Sequence, residues 1–240
     1  MKSLLPISYR EAVMKGICLC SGGLDSTLCL LKLLRGGHEV LPMFVDYNQW
    51  QVVPELSAFT KILEWTSSFT TYSRLLQSKV IKVTLDEDHP VGSAWGRTLV
   101  LVGLAAMWAY THSNDYRFIA LGNHLGDMSP DLSPTFINEN LGKVVQAATK
   151  RKIRVVHPID SHQNKDIGKE LGSIGIPWNL MYSCYWYPSC QYKSEKDEYL
   201  CPGCRRKVVS MKAAGVPKDQ LYPPNGERSY QSPLADSVGY

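Results

Sequence analysis

The chain has 240 residues, enough for one sizeable hydrophobic core and a small appended module. Its 44% apolar and 20% charged residues are those of an ordinary globular protein, and a formal charge of +4 is too small to argue a nucleic-acid-binding surface. No apolar stretch approaches the ~18 residues of a membrane span, and residues 1–15 lack the long apolar core of a secretory signal, so a cytoplasmic location is expected.

Residues 1–15 read as a polar lead-in, with a short helix around 9–14. The apolar run Ile17-Cys18-Leu19-Cys20 then gives way to Ser21-Gly22-Gly23-Leu24-Asp25-Ser26-Thr27, and a second apolar run from Leu28 ends at Gly36-Gly37. A strand, a turn with two glycines and a helix of about three turns present free backbone N–H groups to an anion. Gly22 and Gly23 can take positive φ and admit phosphate oxygens closely, while Asp25 or Ser26 can cap the helix. The Walker pattern with its lysine and the dinucleotide G-x-G-x-x-G are both absent from this turn.

Further on, an apolar strand over 39–45 ends in Asp46-Tyr47-Asn48-Gln49, followed by a helix over 55–65 and a strand over 80–83. A helix over 98–110 precedes a strand over 118–121, whose end carries Gly122-Asn123-His124. The spacing predicts helices over 135–149, 165–174 and 204–214, a short strand over 154–157, and an extended tail from 216 that holds four prolines. The triplet Lys150-Arg151-Lys152 reads as a solvated helix end. Strands alternating with helices imply an α/β fold with a doubly wound, Rossmann-like parallel sheet, in which ligands lie outside the carboxyl ends of the strands. That geometry would gather 21–27, 46–49 and 122–127 around one crevice.

Seven cysteines divide into two groups. Cys18, Cys20 and Cys29 sit in the first strand and helix, where free cysteine behaves as a small buried hydrophobe. Cys184, Cys190, Cys201 and Cys204 offer four soft ligands suited to a closed tetrahedral Zn²⁺ site that pins the C-terminal segment, with Arg205, Arg206 and Lys207 beside it. Four reduced unliganded thiols, or a redox pair at Cys201 and Cys204, are the other readings.

The string SGGLDST resembles the pyrophosphate loop of the N-type ATP pyrophosphatases, of adenine nucleotide alpha hydrolase type. Later pieces narrow the resemblance to the QueC (7-cyano-7-deazaguanine synthase) family over about 15–222: Val45-Asp46-Tyr47-Asn48-Gln49 and then Glu55, Gly96-Arg97 opening an apolar helix, Pro130-Asp131 with Phe136-Ile137, His157-Pro158-Ile159 with Lys165-Asp166-Ile167, Pro177-Trp178 with Tyr182-Ser183-Cys184-Tyr185, and Ala214-Gly215-Val216. The chain departs from the family pattern at Asn48 (glycine there), Leu132 (cysteine) and Met128-Ser129 (tyrosine-glycine). Glu198 stands where the family places a middle cysteine, and Cys190 would supply that ligand.

The resemblance implies an ATP-dependent ligase that converts 7-carboxy-7-deazaguanine and ammonia to the 7-nitrile through an adenylylated carboxylate and an amide. Ser21, Gly22, Gly23, Leu24, Asp25, Ser26 and Thr27 would form the pyrophosphate loop, with Asp25 nearest to a bound Mg²⁺. Arg97 and Lys165 would stabilise phosphoryl charge, unless they serve in surface salt bridges. Asp46 and Asn123 would line the adenosine side, and Asp131 and Phe136 would meet the deazaguanine. Trp178 or Tyr185 would stack on substrate, although both could equally be core. An amide-forming relative, a tRNA-modifying enzyme on the same loop and a non-catalytic nucleotide binder are the alternatives. The expected organisation is a lead-in (1–15), a nucleotide domain (16–180), a zinc module with its helix (181–215) and a tail (216–240). A homodimer is expected, with no direct nucleic-acid or membrane partner.

Overall fold

Five short apolar runs become five parallel strands: β1 (Lys15–Leu19), β2 (Glu39–Asp46), β3 (Lys79–Lys82), β4 (Tyr116–Ala120) and β5 (Arg154–Val156). The computed structural model describes residues 13–83, 96–124, 130–133, 135–185 and 200–221, so the lead-in before 13 and the tail after 221 lie outside the described residues. The sheet order is β3-β2-β1-β4-β5, with every pairing parallel. Six α-helices accompany it among the described residues: α1 (Leu24–Arg35), α2 (Val52–Ser67), α3 (Arg97–His112), α4 (Gly142–Thr149), α5 (Asn164–Ile174) and α6 (Pro202–Ala213). None is long and apolar enough to cross a membrane.

The two-residue alternation of a strand sorts the core into two layers. Cys18 on β1 and Cys20 just after it face α1, α2 and α5 together with Leu28, Phe44, Phe59 and Ile167. Ile17 and Leu19 face the opposite way, toward α3 and α4, with Val102, Ala105 and Val145. Both layers are needed because β1 and β2 are apolar along almost their whole length and expose no polar face. This is the doubly wound arrangement expected from the sequence. Cys18, Cys20 and Cys29 are free and buried, as small core hydrophobes.

The helix expected over 135–149 is two elements. Phe136–Leu141 winds as a π-helix, and α4 follows it from Gly142. The stretch mixes apolar residues with Asn, Glu, Gly and Lys, and such a pattern does not distinguish i+4 from i+5 winding.

The C-terminal helix docks directly on the α/β layers. Gly168 of α5 lies so close to the backbone of Ser210 in α6 that a Cβ there would collide with its carbonyl, and Ser210 Oγ donates to Asn164 O at 2.8 Å. Lys32 Nζ, 3.1 Å from Glu170 Oε2, ties α1 to α5 as well.

Candidate active site

The strand order reverses direction at β1 and β4: from β1 the chain crosses to β2 on one side, and β4 lies on the other. Such a switch point leaves a crevice at the strands' carboxyl ends. The turn after β1 lies there. Gly22 has φ +78°, and a Cβ added to it would lie 2.7 Å from Phe59 N and 2.9 Å from Glu55 O, so α2 presses on the turn and only glycine fits. Its carbonyl accepts from Tyr182 N at 2.9 Å.

Gly23 is instead the N-cap of α1 at φ −79°, ψ 169°, and no side chain caps this helix, so neither Asp25 nor Ser26 plays the capping role expected of it. The Ser26 hydroxyl holds the turn, accepting from Ser21 N at 3.2 Å and donating to Gly23 O at 3.3 Å. Gly122, at the end of β4, lets that strand approach α1: a Cβ there would be 2.5 Å from Ser26 N. Asp25 Oδ2 lies 3.8 Å from Nε2 of the buried His124.

A cavity of ≈ 250 Å³ opens over this turn, lined among others by Ser21, Gly23, Asp25, Ser26 and Asn123. Its other wall is a polar cluster from the turn after β2, from α2 and from the start of α3. Tyr47 N donates to Gln49 Oε1 at 3.0 Å, and Gln49 Nε2 donates to Glu55 Oε2 at 2.9 Å. Arg97 Nη1 donates to the Tyr47 hydroxyl at 3.4 Å. Burial pushes the Glu55 carboxyl up to about 7, against the hydrogen bond from Gln49 and the charge of Arg97. Burial likewise raises Tyr47, which therefore stays protonated. For Arg97 the cost of burial is outweighed by Tyr47, Glu55 and Tyr185, so its cation is held more firmly than usual. A smaller cavity of ≈ 110 Å³ adjoins the first and shares with it Ser21, Gly23, Asp25, Glu55, Tyr185 and Arg206.

Other residues singled out from the sequence divide between the cavity walls and the rest of the fold. Leu24 lines the smaller cavity, whereas Gly22 and the buried Thr27 line neither. Asp46 Oδ1 accepts from Asn48 N at 3.0 Å within its own turn, and Asp46 does not line the cavities. The buried Asp131, read as a substrate contact, accepts from Thr98 N at 3.1 Å through Oδ2 and so satisfies the first turn of α3. Phe136 and Trp178, read the same way, pack against the two core layers instead. Lys165 is exposed on the first turn of α5 and lines neither cavity, although its neighbour Asn164 lines the smaller one. Tyr185 is in the cavity wall, and Gln51 Nε2 donates to its carbonyl at 2.7 Å. Leu125, Gly126 and Asp127 lie outside the described residues.

Three of the four late cysteines come together. Ligand atoms of Cys184, Cys201 and Cys204 all lie within 4.8 Å of one another, with Cys201 Sγ 3.9 Å from Cys184 Sγ. Thiolates about 2.3 Å from a tetrahedral zinc stand roughly 3.8 Å apart, so this donor set fits zinc. Cys201 Sγ accepts from Tyr185 N at 3.3 Å and from Cys204 N at 3.4 Å. The hydrogen bonds from Cys184 and then Cys204 hold the Cys201 thiol well below its ordinary range, which favours the thiolate a metal needs. Gly203 of the knuckle abuts the Ser183 carbonyl, where a Cβ would not fit. Cys190 lies outside the described residues.

Comparison with known proteins decides the family. A family described as "Queuosine biosynthesis protein QueC" matches residues 15–215. The chain belongs to the QueC family. Its relatives include proteins named 7-cyano-7-deazaguanine synthase. That of Campylobacter curvus is 28% identical over 86% of this chain and 96% of its own length. Those of Methanothrix thermoacetophila (28% identical, 87% and 98%) and Methanococcus aeolicus (25% identical, 85% and 97%) match at similar extent. Against the QueC pattern, Asn48 takes φ +65°, a left-handed conformation that asparagine tolerates nearly as glycine does, so this departure leaves the turn intact. Leu132, in the place of the QueC cysteine, lines the larger cavity, and its carbonyl accepts from Asn123 Nδ2 at 3.2 Å.

The sequence marks the turn after β2 and a glutamate, Glu55, in the helix that follows, but not that this carboxyl lies in the site. The rotation of α2, which aims it at the cavity, depends on contacts with Gly22 that no local pattern encodes.

Proposed function

We propose that this chain is an ATP-dependent C–N ligase, a 7-cyano-7-deazaguanine synthase that joins ammonia to 7-carboxy-7-deazaguanine. The observation that carries this reading is the turn itself. A glycine at φ +78° leads into an uncapped helix N-terminus at a switch-point cavity, where a cationic Arg97 faces it. Backbone N–H groups so arranged favour phosphate oxygens. The names of the relatives, matched over most of their length, supply the substrate.

The chemical problem is that a carboxylate is a poor electrophile and hydroxide a poor leaving group. Transfer of AMP to the carboxyl oxygen, with pyrophosphate leaving, addresses both. Ammonia then displaces AMP to give the amide, and a second transfer, onto the amide oxygen, allows AMP to leave as the nitrile forms. In this proposal Ser21, Gly22, Gly23, Asp25, Ser26 and Thr27 hold the pyrophosphate portion. Arg97 offsets charge on the transferring group, a role worth about 3–4 kcal/mol for a preorganised donor. Lys165, on a long flexible stem beside Asn164, reaches the same phosphates. Asn123, which lines the larger cavity and whose Oδ1 has no hydrogen-bond partner among the described residues, serves the adenosine side with Asp46. Mg²⁺ would take Asp25 as its nearest carboxylate. Zinc would be held by Cys184, Cys201, Cys204 and Cys190, and would supply structure rather than chemistry.

The test is the mass of the product from purified protein given ATP, ammonium and 7-carboxy-7-deazaguanine. The nitrile is expected; recovery of unchanged acid would overturn the reading, and arrest at the amide would limit it to one adenylylation.

A further inference from the structure

The two cavities meet at Glu55, and the wall they share there is the least expected feature of the site. Glu55 Oε2 is held by Gln49 Nε2 at 2.9 Å, whereas Oε1 has no hydrogen-bond partner among the described residues. No cation among them comes within ion-pair distance of this carboxyl. Glu55, with one carboxylate oxygen unengaged, therefore lines both spaces.

The geometry narrows what that oxygen can take. With Oε2 accepting from Gln49, Oε1 is the carboxylate oxygen with both lone-pair sites open to a donor. The smaller cavity, ≈ 110 Å³, has ample room beside the larger one for a molecule of water size. Ammonium suits both features: it is water-sized, cationic and a hydrogen-bond donor only.

We propose that Glu55 binds ammonium where the two cavities join and takes the proton whose loss frees the nitrogen lone pair for attack. This rests on the synthase reading above, which makes ammonia the nucleophile. In the step, an N–H bond of ammonium breaks, its electron pair stays on nitrogen, and the proton forms an O–H bond with Oε1. Neutral ammonia then forms a C–N bond with the activated carboxyl carbon, and the C–O bond to AMP breaks with its electron pair leaving on AMP. The nitrogen sheds a second proton to water to give the amide, and Glu55 returns the first proton to water.

A carboxyl of ordinary acidity would be too weak a base for this exchange, and its elevation to about 7 brings it nearer to ammonium. The charged or titratable groups facing the same space are Cys20, Asp25, Tyr47, Arg97, Tyr182, Cys184, Tyr185 and Arg206. Of these, Arg97 opposes the elevation without cancelling it.

The test compares wild type, Glu55→Gln and Glu55→Asp with ammonium chloride titrated from about pH 6 to about pH 9. Acid-dependent exchange of pyrophosphate into ATP, without ammonium, is measured alongside. Glu55→Gln keeps the shape and the acceptor for Gln49. It is expected to retain exchange while kcat/KM for ammonium falls roughly 10²-fold at neutral pH. Wild type should climb through about pH 7 and level off, whereas the Gln variant should keep rising with the free-ammonia fraction, so that the gap closes at high pH. Glu55→Asp should fall between. An unchanged ammonium dependence in Glu55→Gln, a deficit equal at every pH, or a rise in KM for the acid instead would overturn the proposal. Absence of exchange in wild type would instead remove the synthase reading on which it rests.

Discussion

Replacing Gly22 with alanine is expected to lower turnover at least ~10²-fold, the scale reached when reacting groups are misplaced by about 1 Å. Two independent penalties act at that position. An L-residue at φ +78° costs about 1–2 kcal/mol in backbone strain alone. The new methyl would also lie 2.7 Å from Phe59 N, 2.8 Å from Ala58 Cβ and 2.9 Å from Glu55 O, and two of those atoms are helix backbone that cannot swing aside. The turn must lift away from α2, and the N–H groups after β1 move with it. Each kcal/mol lost should lower Tm by roughly 2–4 °C in a chain of this size. Gly23, its neighbour, is the control for stability: φ is −79° and the nearest atom to an added Cβ is 3.4 Å away. Gly23→Ala should therefore melt close to wild type. Calorimetry and steady-state rates on both variants check this, and a Gly22→Ala enzyme with wild-type Tm and turnover would refute it.

Cys201→Ser is expected to abolish zinc retention and to lower Tm by at least ~10 °C, since structural zinc sites contribute folding free energy outright. Cys201 is the hub of the three sulfurs: fully buried, 3.9 Å from Cys184 Sγ and bonded by the N–H groups of Tyr185 and Cys204. A serine oxygen sits closer to Cβ and is a poor soft ligand. The loss should reach the active site, because Tyr185 lines both cavities and is anchored through Cys201 on its N–H and Gln51 on its carbonyl. Metal analysis and thermal melts check this; a variant with undiminished zinc and an unshifted Tm would show that the cluster is not the structural metal site.

Both variants mark what local sequence could and could not reveal. The two glycines after β1 are alike in sequence, and only packing against α2 separates the essential one from the tolerant one. The strands were legible because parallel strands buried on both faces read as continuous apolar runs, and the crevice followed from their alternation with helices. Relations across distance were not legible. Asp131 sits in a segment that resembles a substrate-binding stretch, yet its carboxylate serves Thr98, 33 positions earlier in the chain. Glu55 belonged to an ordinary amphipathic helix until the fold turned it toward the cavity. The cysteines were legible as chemistry, since soft ligands in pairs suit zinc whatever path the chain takes between them.

If the turn after β1 grips the outer two phosphates of ATP, the innermost is the one transferred. Phosphorus NMR of the nucleotide products, formed by wild-type protein from ATP, ammonium and 7-carboxy-7-deazaguanine, tests this directly. AMP and pyrophosphate appearing together, and only with the acid present, are the expected result. ADP with inorganic phosphate, or no acid-dependent product, would contradict it.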